Sequence, residues 1–297
     1  TFLFPLIFLL VFGTIFNNQL ASLKVAIINH SDSLFAKQFV DNAKKDSTSV
    51  LKVQDVSGMD EAKEKKMSRT LYTYRGEVTK EEGIRYISHL DYADMIQRAI
   101  CRAKLPAAYS EGFNPHLKIA FASALAVGVT SEAEYMDFEL TEALSPDEVS
   151  ARLAAKLPDG VKLSRLRLLK GRHQALMAAV DQADYEITLP GCGDEDAARR
   201  AVEAFNEAEE CWYRRSSPKK TRDIEVKQYM KGDVTIAWAA GTARLRMAIR
   251  ITPTGSVKPG EVLSVLCDAF ALPGDAAMAA IHRRALWGGG RSLMDAD

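Results

Sequence analysis

Ser88, His89 and Asp91 fall within four consecutive positions of the run Arg85-Tyr86-Ile87-Ser88-His89-Leu90-Asp91. A serine followed three residues later by an acid is the pattern that caps a helix start. His89 then stands in the first turn, where the helix dipole favours a neutral imidazole. Free backbone amides at such a terminus can receive an anionic or polar ligand. Arg85 and Ser88 are therefore candidate ligand-binding residues, and His89 and Asp91 candidate catalytic ones. Capping alone, with His89 at the surface, is the competing reading.

A second cluster follows at Tyr109-Ser110-Glu111-Gly112-Phe113-Asn114-Pro115-His116, just before Lys118. Gly112 and the Asn114-Pro115 pair are turn chemistry, which sets Tyr109, Phe113 and His116 on a tight loop. Tyr109, Ser110, Gly112, Phe113, Asn114 and Lys118 are candidates to stack on and hydrogen-bond a base or ring. His116 is a third catalytic candidate. Phe113 can equally serve to anchor the loop by packing. A third cluster places Arg214, Arg215, Lys219, Lys220 and Arg222 together with no acid until Asp223. With Arg244, Arg246 and Arg250 it would form a phosphate-contacting stripe, or simply a solvated loop and strand face.

Composition bounds what these groups can do. Lys plus Arg equals Asp plus Glu at 39 each, so any contact with nucleic acid has to come from a local patch. Hydrophobic content of 47% argues for a globular chain rather than disorder. The cysteines, Cys101, Cys192, Cys211 and Cys267, form no CxxC or CxxxCxxC, and the five histidines are dispersed. No metal site is expected in this chain, and scattered thiols suit a reducing compartment.

The elements that must position these groups begin after an abrupt change at Lys65-Lys66-Met67. Within a segment 1–20, Thr1 to Phe16 are almost wholly apolar, without the charged flank and cleavage site of a signal peptide. They read as a partial membrane-type helix, shorter than the roughly 18 residues of a convincing span. A strand is expected from Leu23 and a helix over 33–44, within a segment 21–66. Beyond Met67 two similar halves are expected, 67–172 and 173–287, with a mobile tail at 288–297. In the first, strands at 71–75, 118–122, 134–140 and 161–169 alternate with helices at 89–104 and 145–157. The helix at 89–104 would bury Leu90, Ala93, Ile96, Ile100 and Ala103 on one face. Strand 134–140 alternates polar with apolar residues, as a half-buried strand does. In the second half, strands at 185–189, 211–214, 224–228, 234–238 and 243–251 accompany helices at 194–209 and 261–270. The expected fold class is α+β, with two tandem ferredoxin-like βαββαβ units.

Two resemblances add to this reading. Residues 1–66 resemble the first membrane segment and extracytoplasmic start of ABC-2-type exporter permeases. An outward-facing exporter fragment against an inside-type domain implies a fused or misassembled reading frame at Lys66/Met67. From about 69 to 280 the chain resembles the radical SAM-linked family of uncharacterised proteins. The resemblance is carried by Ile87-Ser88-His89-Leu90-Asp91, residues 109–116, 118–122, Val127-Gly128, and Ser131-Glu132-Ala133-Glu134-Tyr135-Met136-Asp137. Leu117 and Ala124 depart from it, standing where prolines are commoner.

That resemblance implies a cytoplasmic bacterial protein acting with a radical SAM enzyme of the B12-binding type. The iron–sulfur cluster, S-adenosylmethionine and B12 would all lie on the partner. The leading expectation is an accessory or substrate-presenting module, with RNA as a candidate substrate. A second is an RNA-processing enzyme using His89 and His116 as acid and base with Asp91 orienting one of them. A third is an exporter permease fragment, with membrane contact through residues 1–20.

Overall fold

The computed structural model describes residues 23–27, 51–55, 70–111, 113–171, 173–217 and 220–295. The chain divides into two compact units, Thr1–Arg69 and Thr70–Asp297. In the first, strand β1 (Leu23–Ile27) pairs in parallel with β2 (Leu51–Asp55). The expected membrane-type segment 1–20 and the helix over 33–44 lie outside the described residues. No described helix is long and apolar enough to cross a membrane.

The second unit is built on one sheet. Its strands are β3 (Tyr72–Lys80), β4 (Ile119–Phe121), β5 (Val129–Leu140), β6 (Leu163–Leu168), β7 (Gln182–Leu189), β10 (Thr235–Ala239), β11 (Thr242–Arg250), β12 (Ala280–Gly288) and β13 (Arg291–Ser292). The order is β10-β11-β7-β12-β5-β3-β6, with β4 on β5 and β13 on β12. A separate hairpin comprises β8 (Trp212–Ser217) and β9 (Lys220–Glu225).

This corrects the expectation of two tandem ferredoxin-like units, because the nine strands form a single mixed sheet. The reason lies in β4. It has three residues and covers β5 only at Met136–Phe138. The other end of β5 keeps open backbone groups, which have to be paired when buried. β12 takes them, running parallel to β5 with Ile281–Arg283 opposite Val129–Ser131 while its other edge pairs with β7. Sequence reading had assigned no strand here. The residues of β12 do not alternate cleanly, since a bulge interrupts the register between Arg283 and Ala285.

Helices α1 (His89–Arg102) and α2 (Pro146–Ala154) build one core with β3, β5 and β6, including Ile96, Ile100, Met136, Phe138 and Leu153. Ser88 and Ser145 cap them, each accepting from the amide three residues on. After a short turn of helix, α3 (Leu176–Ala179), helices α4 (Glu195–Glu207) and α5 (Pro259–Phe270) build the other core. It holds Ile187, Phe205, Leu245, Leu266 and Leu286. Tyr135 belongs to this second core and Met136 to the first. Successive strand residues face opposite ways, so at β5 the two cores lie on opposite faces of the sheet.

Strand β5 is therefore covered on both sides, not half-buried as its alternation implied. Its polar positions are carried by ion pairs. Arg75 meets Asp137 through Nε–Oδ1 at 2.7 Å and Nη2–Oδ2 at 2.8 Å, and also donates to the carbonyl of Leu293 at 3.0 Å. The expected mobile tail is partly ordered. Gly289 and Gly290 both take positive φ and reverse the chain into β13, which leaves Leu293 fully buried. Leu90, expected on the buried face of α1, is 76% exposed; Tyr92 and Ala99 take that face with Ile96 and Ile100.

Removing one partner of a buried pair leaves an uncompensated charge, which costs about 3–5 kcal/mol. Asp137→Ala should destabilise the chain by that amount in urea unfolding followed by tryptophan fluorescence. The double variant Arg75→Met/Asp137→Leu should recover most of the loss. A single variant as stable as the parent would show that the pair contributes nothing.

Candidate functional site

The start of α1 gathers most of the chemistry the unit offers. Ser88 Oγ donates to Asp91 Oδ2 at 2.6 Å and accepts from the Asp91 amide at 3.1 Å. Asp91 is thus held by the cap and does not orient a histidine. Lys80, almost fully buried, donates to the carbonyls of Arg85 (2.9 Å) and Ile87 (3.0 Å), tying the turn that precedes the helix. Arg85 pairs with Glu82 at 2.7 Å and lies over the Tyr86 ring at 4.6 Å.

Behind this turn lies the join of the sheet. Arg283 is 2% exposed and donates to Glu134 Oε1 at 2.9 Å, to the Tyr185 hydroxyl at 3.2 Å and to the carbonyl of Ala124 at 3.3 Å. The His89 ring packs edge-on to Phe121, 5.4 Å between centroids. Burial holds the His89 imidazole below its ordinary value; Glu134 opposes this, and the cations Arg283 and Lys80 add to it. Burial likewise lowers Lys80, against Glu134 and with Arg283. The imidazole is neutral at pH 7, a poor general acid and a weak base.

The second cluster is at the other end of α1. Tyr109 bridges to Leu117, and its hydroxyl lies 3.5 Å from Cys101 Sγ. Ser110 donates its amide to the His116 carbonyl (2.7 Å), and the His116 amide donates to Ser110 Oγ (2.9 Å). Asn114 and His116 are exposed, Phe113 is 106% exposed, and Gly112 lies outside the described residues. Lys118 pairs with Glu139 at 3.0 Å. Cys101 is about 18 Å along the helix axis from His89. His89 and His116 are not brought together.

The basic residues divide into two places. In the hairpin, Arg214 pairs with Asp223 (2.9 Å), and Arg215 clasps Glu261 of α5 with contacts of 2.6 and 2.5 Å. Arg222 stands opposite Arg215 in the hairpin register, Lys220 begins β9, and Lys219 lies outside the described residues. Helix α5 covers the sheet face of Leu245 and Met247. Arg244, Arg246 and Arg250 alternate with those residues and so face the other side. The expected stripe is not one surface.

Sequence reading missed Lys80, Glu134, Tyr185 and Arg283 near His89, and Glu186 and Arg284 beside Arg244 and Arg246. Nothing in the sequence singled out Lys80 or Glu134, because β3 and β5 carry other charged residues, among them Arg75, Glu77, Glu132, Asp137 and Glu139. Arg283 sat in a stretch with no assigned element.

Because His89 is depressed in the fold, the unfolded chain takes up its proton first as pH falls below about 6.5. Stability from this group is complete above that pH and is lost as pH falls through the folded value. His89→Gln should therefore lose less stability than the parent between pH 7 and 5 in urea titrations. An NMR titration of His89 Hε1 in the parent should give a midpoint below 6.5; a midpoint above it would refute the assignment.

Among solved structures, a chain of a Cbf5-Nop10-Gar1 complex matches with a TM-score of 0.40 and 12% identity, covering 72% of this chain and 50% of that one. An unknown protein from Galdieria sulphuraria matches with a TM-score of 0.22 and 13% identity, covering 74% of this chain and 99% of that one. No curated protein matches. Residues 73–259, more than half of the sequence, match a family described as an uncharacterized protein conserved in bacteria (DUF2344), and the chain belongs to that family.

Proposed function

We propose that the unit from Thr70 onward is an accessory module that docks onto a radical SAM enzyme of the B12-binding type and presents a substrate to it. The resemblance of residues 69–280 to proteins linked with such enzymes suggests the partner. The single observation that carries the docking role is how the resembling runs divide their side chains. Several of their polar groups are engaged within the chain: Ser88 with Asp91, Ser110 with His116, Lys118 with Glu139, Glu134 with Arg283, Asp137 with Arg75. Among what they leave exposed are large apolar side chains, Leu90, Tyr109, Phe113 and Val127, with Tyr86 adjoining, beside the polar Asn114, His116 and Glu132.

Tyr86, Leu90 and Val127 belong to one neighbourhood. Gly128 donates its amide to the Arg85 carbonyl at 2.9 Å, which brings the 127–128 turn against Tyr86, and Leu90 follows in the first turn of α1. Contiguous exposed apolar side chains rimmed by charge mark interaction surfaces. Burying a Leu or Val side chain fully is worth about 1.5–3 kcal/mol, enough for a small group to anchor a complex.

In this reading the radical chemistry is the partner's. An iron–sulfur cluster requires convergent thiolates. Here Cys101 is exposed on α1, whereas Cys192 and Cys211 are buried in the second core and Cys267 packs against it, a separation that supports placing the cluster on the partner.

The test is anaerobic co-purification of the full chain with a radical SAM enzyme carrying its cluster. Leu90→Asp and Val127→Asp should each weaken the complex by about 30-fold, the effect of a hot-spot residue near 2 kcal/mol, with unfolding temperatures unchanged. Equal retention of both variants would sink the docking surface. RNA cleavage by the chain alone, lost in His89→Ala, would instead favour the enzyme.

A further inference from the structure

The side of β10-β11-β7-β12 turned away from α4 and α5 carries three arginines around one carboxylate. Arg246 Nε donates to Glu186 Oε2 at 2.8 Å, Arg244 Nε lies 3.5 Å from Oε1, and Arg284 Nη1 lies 3.7 Å from Oε2. Only Arg246 is within full hydrogen-bonding distance of Glu186. The other two are held at ion-pair range with most donors free to bond elsewhere.

We propose that this face binds the phosphodiester backbone of single-stranded RNA, with Arg244, Arg246 and Arg284 contacting phosphates and Glu186 positioning them. This deepens the presenting role above by naming what is presented, and depends on that reading for the role alone.

The depth of the groups supports the assignment. The Glu186 side chain is 15% exposed, whereas those of Arg244, Arg246 and Arg284 are 57%, 60% and 46% exposed. The carboxylate forms the floor, and an arriving anion meets guanidinium first. One charge cannot balance three. Glu132, 3.4 Å from Arg284, offsets part of the excess. Converging guanidiniums repel one another, and a bound anion relieves this. Burial alone would raise the Glu186 carboxyl, yet the hydrogen bond from Arg246 and the nearby arginine charges hold it below the usual range.

The spacing suits a nucleic-acid strand. Arg244 and Arg246 are two residues apart on β11, about 7 Å, comparable with successive phosphates of an extended strand. Across the ladder, Arg246 lines up with Thr235 and Arg244 with Thr188, so hydroxyls lie beside the cations. These can meet the 2′-hydroxyl that distinguishes RNA. The exposed large apolar side chains, including Tyr86, Phe113 and Trp212, belong to other segments, so binding here is by charge rather than stacking.

The experiment is fluorescence anisotropy of the full chain with a labelled oligouridylate of about 12 nucleotides. Three phosphate contacts predict that log affinity falls with log salt at a slope of about −2. Arg244→Gln/Arg246→Gln should weaken binding about tenfold or more and cut the slope to about −0.7. Circular dichroism should confirm that the variant is folded. Parental affinity in the double variant would overturn the proposal. So would equally tight binding of oligothymidylate, or equal competition by polyglutamate, which would indicate an acidic protein surface. Leu90→Asp should leave RNA binding unchanged, so the docking patch and this face can fail separately.

Discussion

The unit from Thr70 onward depends on the parallel pairing of β12 with β5 and on the guanidinium buried where they meet. An arginine taken from water is tolerated only when its charge and donors are met. Arg283 meets Glu134 from β5, the Tyr185 hydroxyl from β7 and the carbonyl of Ala124 from the segment before β5. One side chain thereby joins strands of both cores. It also presses a positive charge toward the start of α1, where Lys80 already holds two carbonyls of the preceding turn. Burial first lowers the His89 imidazole, and Arg283 and Lys80 add to this while Glu134 opposes it.

Local structure was largely legible, because local rules govern it. Ser88 acts as the cap its spacing predicted, and the helices expected from 89 and 145 start at His89 and Pro146. What could not be read was how strands pair between halves. The three-residue reach of β4 leaves part of β5 open, and no periodicity records that shortfall. β12 then escapes notice because its bulge breaks alternation and two arginines interrupt it. The Gly289-Gly290 pair did carry a hairpin signal; its place near the end of the chain made it look like a mobile tail.

The candidate site was legible as a set of residues and not as a constellation. His89, Asp91 and His116 are near in sequence, but α1 separates His89 from the loop that carries His116. Sequence spacing gives no end-to-end distance until it is known which helix end a loop packs on, and the Cys101–Tyr109 contact decides that. Asp91 illustrates a related ambiguity. A carboxylate three residues after a serine can orient a catalytic group or close a cap, and here the cap takes both its amide and its carboxylate.

Strand β12 connects the two proposed surfaces through the sheet. Arg283 turns into the join behind the start of α1, whereas its neighbour Arg284 reaches Glu186 and Glu132 on the open side. His282, hydrogen-bonded to Thr130 at 2.8 Å, fixes the same strand to β5 from that open side. Successive residues of one strand thus serve the join under the apolar patch and the arginine face. A ladder of backbone hydrogen bonds, paired on both edges, leaves little freedom between them. A module that presents a substrate needs that property, because docking positions a strand for chemistry only if the docking surface and the binding face keep a fixed relation.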